Sequence, residues 1–326
     1  MRRRKKIKHL GRKRKLSKKT KRKIYDVIKV IIFIAVVLLV SRVGTSMKSL
    51  YKESDVEKSK VEYYVDIADE ISKGKAQVNW QELLAIDLVK YKGDLSNIRK
   101  IDVINIGKRF IEKNKESYTG YSIKPIDEVL KELNFNKNQQ LQVHKELNEL
   151  KYISISGIDL SKNSKYGKFI DNLSKQAILN YREYVILPSI TVGQAILESG
   201  WGESQLTQKS NNLFGIKADN RWNGKSVNIQ TGENYNETVV ASFRAYSSIE
   251  DSIKDHCEFL NINSRYTENG VFESKDYKEQ AQALEDAGYS TKENEKGEKI
   301  YADILIDVIK KYNLQLLDHK AQLNDN

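Results

Sequence analysis

The sequence predicts a mainly helical protein carrying one small β-hairpin lobe, preceded by a single membrane-crossing helix and a small all-α domain. Three observations support that class. Apolar residues recur at helical spacing over most of the chain beyond residue 60. Glycine and proline are too scarce for a long flexible linker, with two prolines in 326 residues. Paired β-rich runs are read at one place, residues 226–230 and 238–244, on either side of the polar stretch TGENYNE (231–237).

The charge distribution sets the first boundary. The chain has 56 Lys and Arg against 44 Asp and Glu, a net charge of +12. Fifteen of those bases fall in residues 1–23, which contain no acid, so the remainder carries 41 bases against 44 acids and is close to neutral. A basic tail at residues 1–23 is expected to meet anionic lipid, at about 1 kcal/mol per nearby base. Nucleic acid is the lesser reading, because the basicity does not extend into the folded part.

Eleven consecutive apolar residues follow at 30–40. Alone they are short for a bilayer core of about 30 Å. With Lys29 and Arg42 snorkelling, the stretch that begins at Val27 and ends at Met47 spans about 30 Å. No good small-residue cleavage site follows, so residues 24–47 are expected to be an uncleaved signal anchor rather than a removed leader. The positive-inside rule then puts the tail in the cytoplasm and the rest outside the cell membrane.

Residues 52–160 are expected to form the all-α domain. Val61, Tyr64, Val65, Ala68 and Ile71 share a helical face, and Asn79 is placed to cap a helix containing Trp80, Leu83, Leu84 and Leu88. Further helical patterns cover 103–111, 126–133 and 139–150. This domain is expected to pack as plain helices or to recruit a protein partner, and Glu82 is not taken as a second active site.

The segment AILESGWGES (195–204) carries the chemistry. Pro188 and Ser189 supply a helix start, and Ile190, Val192, Ala195, Ile196 and Leu197 make an apolar helix that Gly200 stops. Glu198 therefore sits in the last turn, where the helix dipole disfavours its ionised form by roughly 0.3–1 kcal/mol. That is less than about one pKa unit, so desolvation must supply the rest if Glu198 is to act as a general acid. Trp201 is a candidate both for that desolvation and for stacking on a sugar ring.

Four strings in this order, ILPSITVGQAILESGWGES (186–204), NNLFGIKA (211–218), SFRAYSSIEDSIKDH (242–256) and AGYST (287–291), resemble the glucosaminidase domain of glycoside hydrolase family 73. The resemblance runs from about residue 169 to 314. It implies a lysozyme-like catalytic domain, set at residues 165–316, with a helical lobe and a β-hairpin lobe, acting on the glycan strands of peptidoglycan at the β-1,4 bond after N-acetylglucosamine. Glu198 matches the family's catalytic acid. The second acidic residue matches Glu233, with Glu237 as the fallback. A nucleophile lies about 5–5.5 Å from the acid and a base acting through water about 6.5–9.5 Å away, and the substrate's acetamido group is a third route. On that route Tyr289 is the orienting group. Asn211, Asn212 and Phe214 join Trp201 as substrate-binding candidates, although they also read as turn-bridging and packing residues. Arg244, Asp255 and His256 are expected to be scaffold. The family's usual short link from the AGY block to a Tyr-Ala pair is lengthened here by ENEKGEK (293–299), before Tyr301 and Ala302.

No cofactor or metal is expected: four His and one Cys show no ligand spacing. The single cysteine, Cys257, excludes an intrachain disulfide and is expected to be buried. Residues 317–326 are expected to be a polar C-terminal tail. The expected function is a membrane-anchored endo-β-N-acetylglucosaminidase. A muramidase or lytic transglycosylase is the alternative enzyme, and a non-catalytic wall-binding scaffold is the alternative outside catalysis.

Overall fold

The computed structural model describes residues 58–233 and 237–323. The basic tail and the anchor expected at residues 24–47 lie outside the described residues. Among the described residues, no helix is long and apolar enough to cross a membrane.

The first part of the fold is a helical cluster with one short ribbon. Helix α1 covers residues 58–72. Helix α2 (Trp80–Lys90) starts where Asn79 accepts a hydrogen bond from the Gln81 N–H, the cap the sequence predicts. Helix α3 (Lys100–Gly107) leads through a single 3-10 turn (Lys108–Phe110) into strand β1 (Ile111–Lys113), which pairs antiparallel with β2 (Tyr121–Ile123). Helices α4 (Ile126–Glu132) and α5 (Lys137–Leu150) close the cluster. The β1–β2 ribbon corrects the all-α expectation for residues 52–160. Its strands are three residues long, too short for any alternation to register as a period. Trp80, Leu83, Ile86, Phe110, Ile123 and Leu130 are fully buried in the apolar core of this part.

The second part surrounds helix α7. Helix α6 (Lys165–Tyr184), capped by Ser164, ends at Val185 in the left-handed region. Helix α7 (Pro188–Ser199) has proline in its first turn and stops at Gly200, with φ +56°. After it come α8 (Gln205–Ser210) and the hairpin β3 (Ser226–Glu233) and β4 (Glu237–Arg244), in register from Ser226 opposite Arg244 to Glu233 opposite Glu237. The strands run further toward the turn than the sequence predicts. Helices α9 (Ile249–Ile262), α10 (Ser264–Glu268), α11 (Tyr277–Asp286), α12 (Tyr301–Lys311) and α13 (Gln315–Leu323) complete the chain. Helix α7 is buried over nearly its whole length, and Gly193 lets α12 approach it. A Cβ at Gly193 would lie 2.8 Å from Leu305 Cδ1.

Over residues 317–323, helix α13 stands where a polar tail is expected. Leu314 and Ala321 are buried in the core around α7, while Leu316 and Leu323 pack on the first core. Its polar residues are buried as well: Gln315, Asp318, His319 and Gln322 are all under 10 % exposed. Three of them, Asp318, His319 and Gln322, find partners across the fold, while the Gln315 amide is buried without one. Gln322 Oε1 accepts from the Gln77 N–H at 2.7 Å, and His319 Nδ1 lies 2.9 Å from the Gln77 carbonyl. Asp318 accepts from the Ser189 N–H at 2.8 Å and from the Ser189 hydroxyl. Leu187, the residue at the N-cap of α7, makes no side-chain cap of its own. Asp318 supplies a carboxylate acceptor there from another helix. A polar sequence thus forms a buried helix because Asp318, His319 and Gln322 each find a partner in a distant segment. With Gly74 donating to Asp276 and Tyr277 donating to Asp69, these bonds hold residues from 58 onward in one compact unit.

Candidate active site

Glu198 lies at the C-terminal end of α7, on the wall of a cavity of about 560 Å³ lined also by Phe214, Ile216, His256, Tyr266 and Tyr289. The positions follow from the turn after the helix. Gly200, Trp201 and Gly202 are all left-handed, with φ of +56°, +62° and +76°. Ser199 fastens this turn: its hydroxyl donates to the Ala195 carbonyl and accepts from the Gly202 N–H at 2.7 Å. The chain is thereby turned away sharply, and the Glu198 side chain remains at the mouth of the cavity.

Glu198 keeps contact with solvent, yet much of its surroundings is protein. Burial raises its pKa above the ordinary carboxylate value, while the hydrogen bond from Tyr301 and the positive charge of Lys292 oppose the rise. The direction suits an acid that stays protonated longer than a free Glu. Tyr301, at the start of α12, donates its O–H to Glu198 Oε1 at 3.4 Å and accepts from Gln194 Nε2 at 3.0 Å.

Tyr289 lines the same cavity, and its ring lies 5.3 Å from that of Tyr301. Burial and the neighbouring charges hold both phenols neutral. Tyr301 is the tyrosine within reach of the acid, and sequence reasoning missed it. In the sequence the Tyr-Ala pair reads only as a helix start, and the inserted loop conceals its proximity to Glu198. In the structure that loop is a closed excursion, with Glu293 bridging Lys299 and Gly297 in the turn.

Phe214 lines the Glu198 cavity and stacks on His256 with ring centroids 3.9 Å apart. His256 is fully buried, and burial pushes its pKa down to about 3, so it is a neutral packing ring. Trp201 and Asn211 are elsewhere. Both line a neighbouring groove of about 590 Å³ with Phe169 and Leu173. The Trp201 ring is met edge-on by Tyr166 at 4.7 Å and Tyr312 at 4.8 Å, with Phe169 at 5.6 Å. Its indole is thus not among the residues lining the Glu198 cavity, against the expectation that it desolvates Glu198. Its left-handed backbone turns it onto the far side of the turn.

Asn212 is buried and internal: its amide donates to the Ile216 and Arg244 carbonyls at 3.0 and 2.9 Å, and its Oδ1 accepts from the Ile216 N–H. It ties the root of the hairpin to the segment after α8. Arg244 at that root reaches both oxygens of Asp255 at 2.9 Å, and Tyr246 donates to Asp255 at 2.7 Å. Cys257 is buried, and burial pushes its thiol up to about 12.

Glu233 and Glu237 form the last register pair of the hairpin. A carboxylate not anticipated from sequence also lines the Glu198 cavity. Asp219 is exposed there, held below the usual carboxylate range by the hydrogen bond from Arg221. It follows the NNLFGIKA block directly, and that position was the only sequence signal for it. Among the described residues, no cluster of three or more His, Cys, Asp or Glu is arranged to hold a metal ion.

Comparison with known proteins bears on this geometry. Residues 174–314 match the glucosaminidase family model, described as mannosyl-glycoprotein endo-beta-N-acetylglucosaminidase. The exo-glucosaminidase LytG of Bacillus subtilis is 39% identical over 156 residues, covering 46% of this chain and 52% of LytG. The peptidoglycan hydrolase FlgJ of Vibrio parahaemolyticus is 33% identical over 176 residues, covering 52% of this chain and 55% of FlgJ. The chain thus spans about half the length of these curated relatives. The solved glycoside hydrolase domain of Salmonella typhimurium FlgJ is 33% identical, covering 47% of this chain and 91% of that domain, with a TM-score of 0.39. Glu198, Phe214, Tyr289 and Tyr301 all fall inside the matched segment, and residues 174–314 form a domain of the glucosaminidase family, glycoside hydrolase family 73.

Proposed function

We propose that the protein is a peptidoglycan hydrolase of lysozyme-like fold. In this reading it is an endo-β-N-acetylglucosaminidase that cuts the β-1,4 bond after N-acetylglucosamine by general acid catalysis. The observation that carries the reading is Glu198 at the end of a buried helix, on the wall of an open cavity, with its pKa raised by burial and its carboxyl met by Tyr301. The names of LytG and FlgJ support the substrate class.

Glu198 gives its proton to the glycosidic oxygen as the bond breaks, the sugar bearing that oxygen departs as an alcohol, and positive charge develops at the anomeric carbon of the N-acetylglucosamine. Glu233 is the proposed second carboxylate, with Glu237 as the alternative. The substrate's acetamido oxygen is the other nucleophile, with Tyr289 orienting it in the cavity it shares with Glu198. Phe214 lines the sugar-binding surface in this scheme.

Residues 27–47 are proposed to anchor the enzyme in the bacterial membrane, catalytic part outside and basic tail inside on anionic lipid. The support is the sequence pattern alone: a basic run, then an apolar stretch without a good cleavage site. The accessory domain at residues 52–160 is proposed to carry a protein partner. Protease added to intact spheroplasts tests the topology, since it should remove the folded part and spare the tail.

Mass spectrometry of fragments released from purified wall tests the specificity. Reducing-end N-acetylglucosamine is expected, and reducing-end or anhydro-muramic acid would replace this reading with a muramidase or a lytic transglycosylase. The name of the Bacillus relative favours a second reading, exo action from a chain end. Fragments of mixed length early in the digest indicate endo cleavage, and small products alone indicate exo cleavage.

A further inference from the structure

Gln194 lies one helical turn before Glu198 on α7 and is fully buried. Its Nε2–H donates to the Tyr301 hydroxyl at 3.0 Å, while its Oε1 is buried without a partner. The side chain therefore spends its amide on one bond, to a hydroxyl that itself touches the proposed acid at 3.4 Å. An unpaired buried acyl oxygen is costly, and a group that tolerates it calls for a reason.

The reason is the direction of a proton. A phenol has one proton and two lone pairs. When the Gln194 amide occupies a lone pair of Tyr301, the phenol proton is free to point at Glu198. We propose that Gln194 is a positioning residue: it orients the Tyr301 hydroxyl so that its proton faces Glu198 and steadies the carboxylate left after proton donation. This rests on the reading of Glu198 as the general acid. Burial alone makes the acid hold its proton, and an acid that holds it too firmly transfers it slowly. The relay from Gln194 through Tyr301 sets a counterweight inside the protein.

Other titratable groups face the same cavity from every side. Lys292 favours the carboxylate by its charge. His256 on α9 and Tyr266 on α10 are held neutral by burial, as is Tyr289. Arg265, Lys217, Arg244 and Asp219 also line the cavity. All of them are retained when Gln194 is changed, so a change in titration is attributable to the relay.

The test uses the full chain and two readouts: the pH profile of kcat/KM on purified wall, and a carbon NMR titration of the Glu198 carboxyl, assigned with Glu198→Gln. Gln194→Met keeps the volume and removes the donor. It is expected to move both the Glu198 titration and the alkaline limb of the profile upward by roughly half to one pH unit, the equivalent of one neutral hydrogen bond. Gln194→Asn, too short to reach Tyr301, should do the same and stands in should the Met variant not fold. Tyr301→Phe should move the limb at least as far, and the double variant no further than Tyr301→Phe alone. Unmoved or lowered values in the Gln194 variants would overturn the proposal, even with a reduced kcat, because a merely structural role lowers rate without moving the limb. If the wild type cuts no wall, the functional reading fails separately, and the carboxyl titration still decides the role of Gln194.

Discussion

The carboxylate that caps α7 from outside gives a stability prediction with a definite sign. Asp318 is 1 % exposed, and burial pushes its pKa up to about 7, against the opposing hydrogen bonds from Ser189. A folded-state value raised above the unfolded value gives stability that is fully present below the ordinary carboxylate range and is lost as pH rises through about 7. Between pH 5 and 9 the loss covers about two units, or roughly 3 kcal/mol at about 1.4 kcal/mol per unit. Against a typical total of about 5–15 kcal/mol this is easily measured. Asp318→Asn keeps an acceptor for the Ser189 N–H and cannot ionise. Urea unfolding of the full chain at pH 5, 7 and 9 should show the variant within about 1 kcal/mol of wild type at pH 5, and the more stable of the two at pH 9. Glu82, raised by burial to about 8, keeps a residual slope in the variant. Equal losses in both proteins would refute the assignment of Asp318 as a buried group that must ionise against its surroundings.

Two further substitutions probe the frame of the site. Gly193→Ala would place a methyl 2.8 Å from Leu305 Cδ1, which should cost roughly 1–3 kcal/mol by overpacking and appear as a lowered denaturation midpoint. Trp201→Ala should cost roughly 3–5 kcal/mol, because it empties the cluster of Tyr166, Phe169 and Tyr312. Its effect on KM for glycan fragments should be small by comparison, and a large rise in KM with an unchanged unfolding midpoint would return Trp201 to the substrate surface.

The helix that carries Glu198 was legible because its signals are local. Pro188 starts it, Gly200 ends it, and the apolar run between them buries it. The Asn79 cap and the hairpin were legible for the same reason. Helix α13 was not, since Asp318, His319 and Gln322 are buried and hydropathy cannot show that a polar residue will meet a partner more than a hundred positions away. The position of Trp201 was misread because its neighbours in sequence suggested the cleft, whereas its φ of +62° carries it to the other side. Tyr301 was overlooked as a site residue because its approach to Glu198 joins positions 103 apart, across a loop of unfamiliar length. Short-range grammar gave the elements, and the buried polar pairings that orient them are long-range.

The central claim is that Glu198 is the acid of a wall-cutting glycosidase. Its most direct test is the initial rate of purified-wall hydrolysis by the wild type and by Glu198→Gln, with folding of the variant checked by its denaturation midpoint. Loss of general acid catalysis should lower the rate by roughly 10²–10⁴-fold while the midpoint changes little, since the Glu198 side chain stays in contact with solvent. A folded Glu198→Gln variant that clears wall as fast as the wild type would contradict the account.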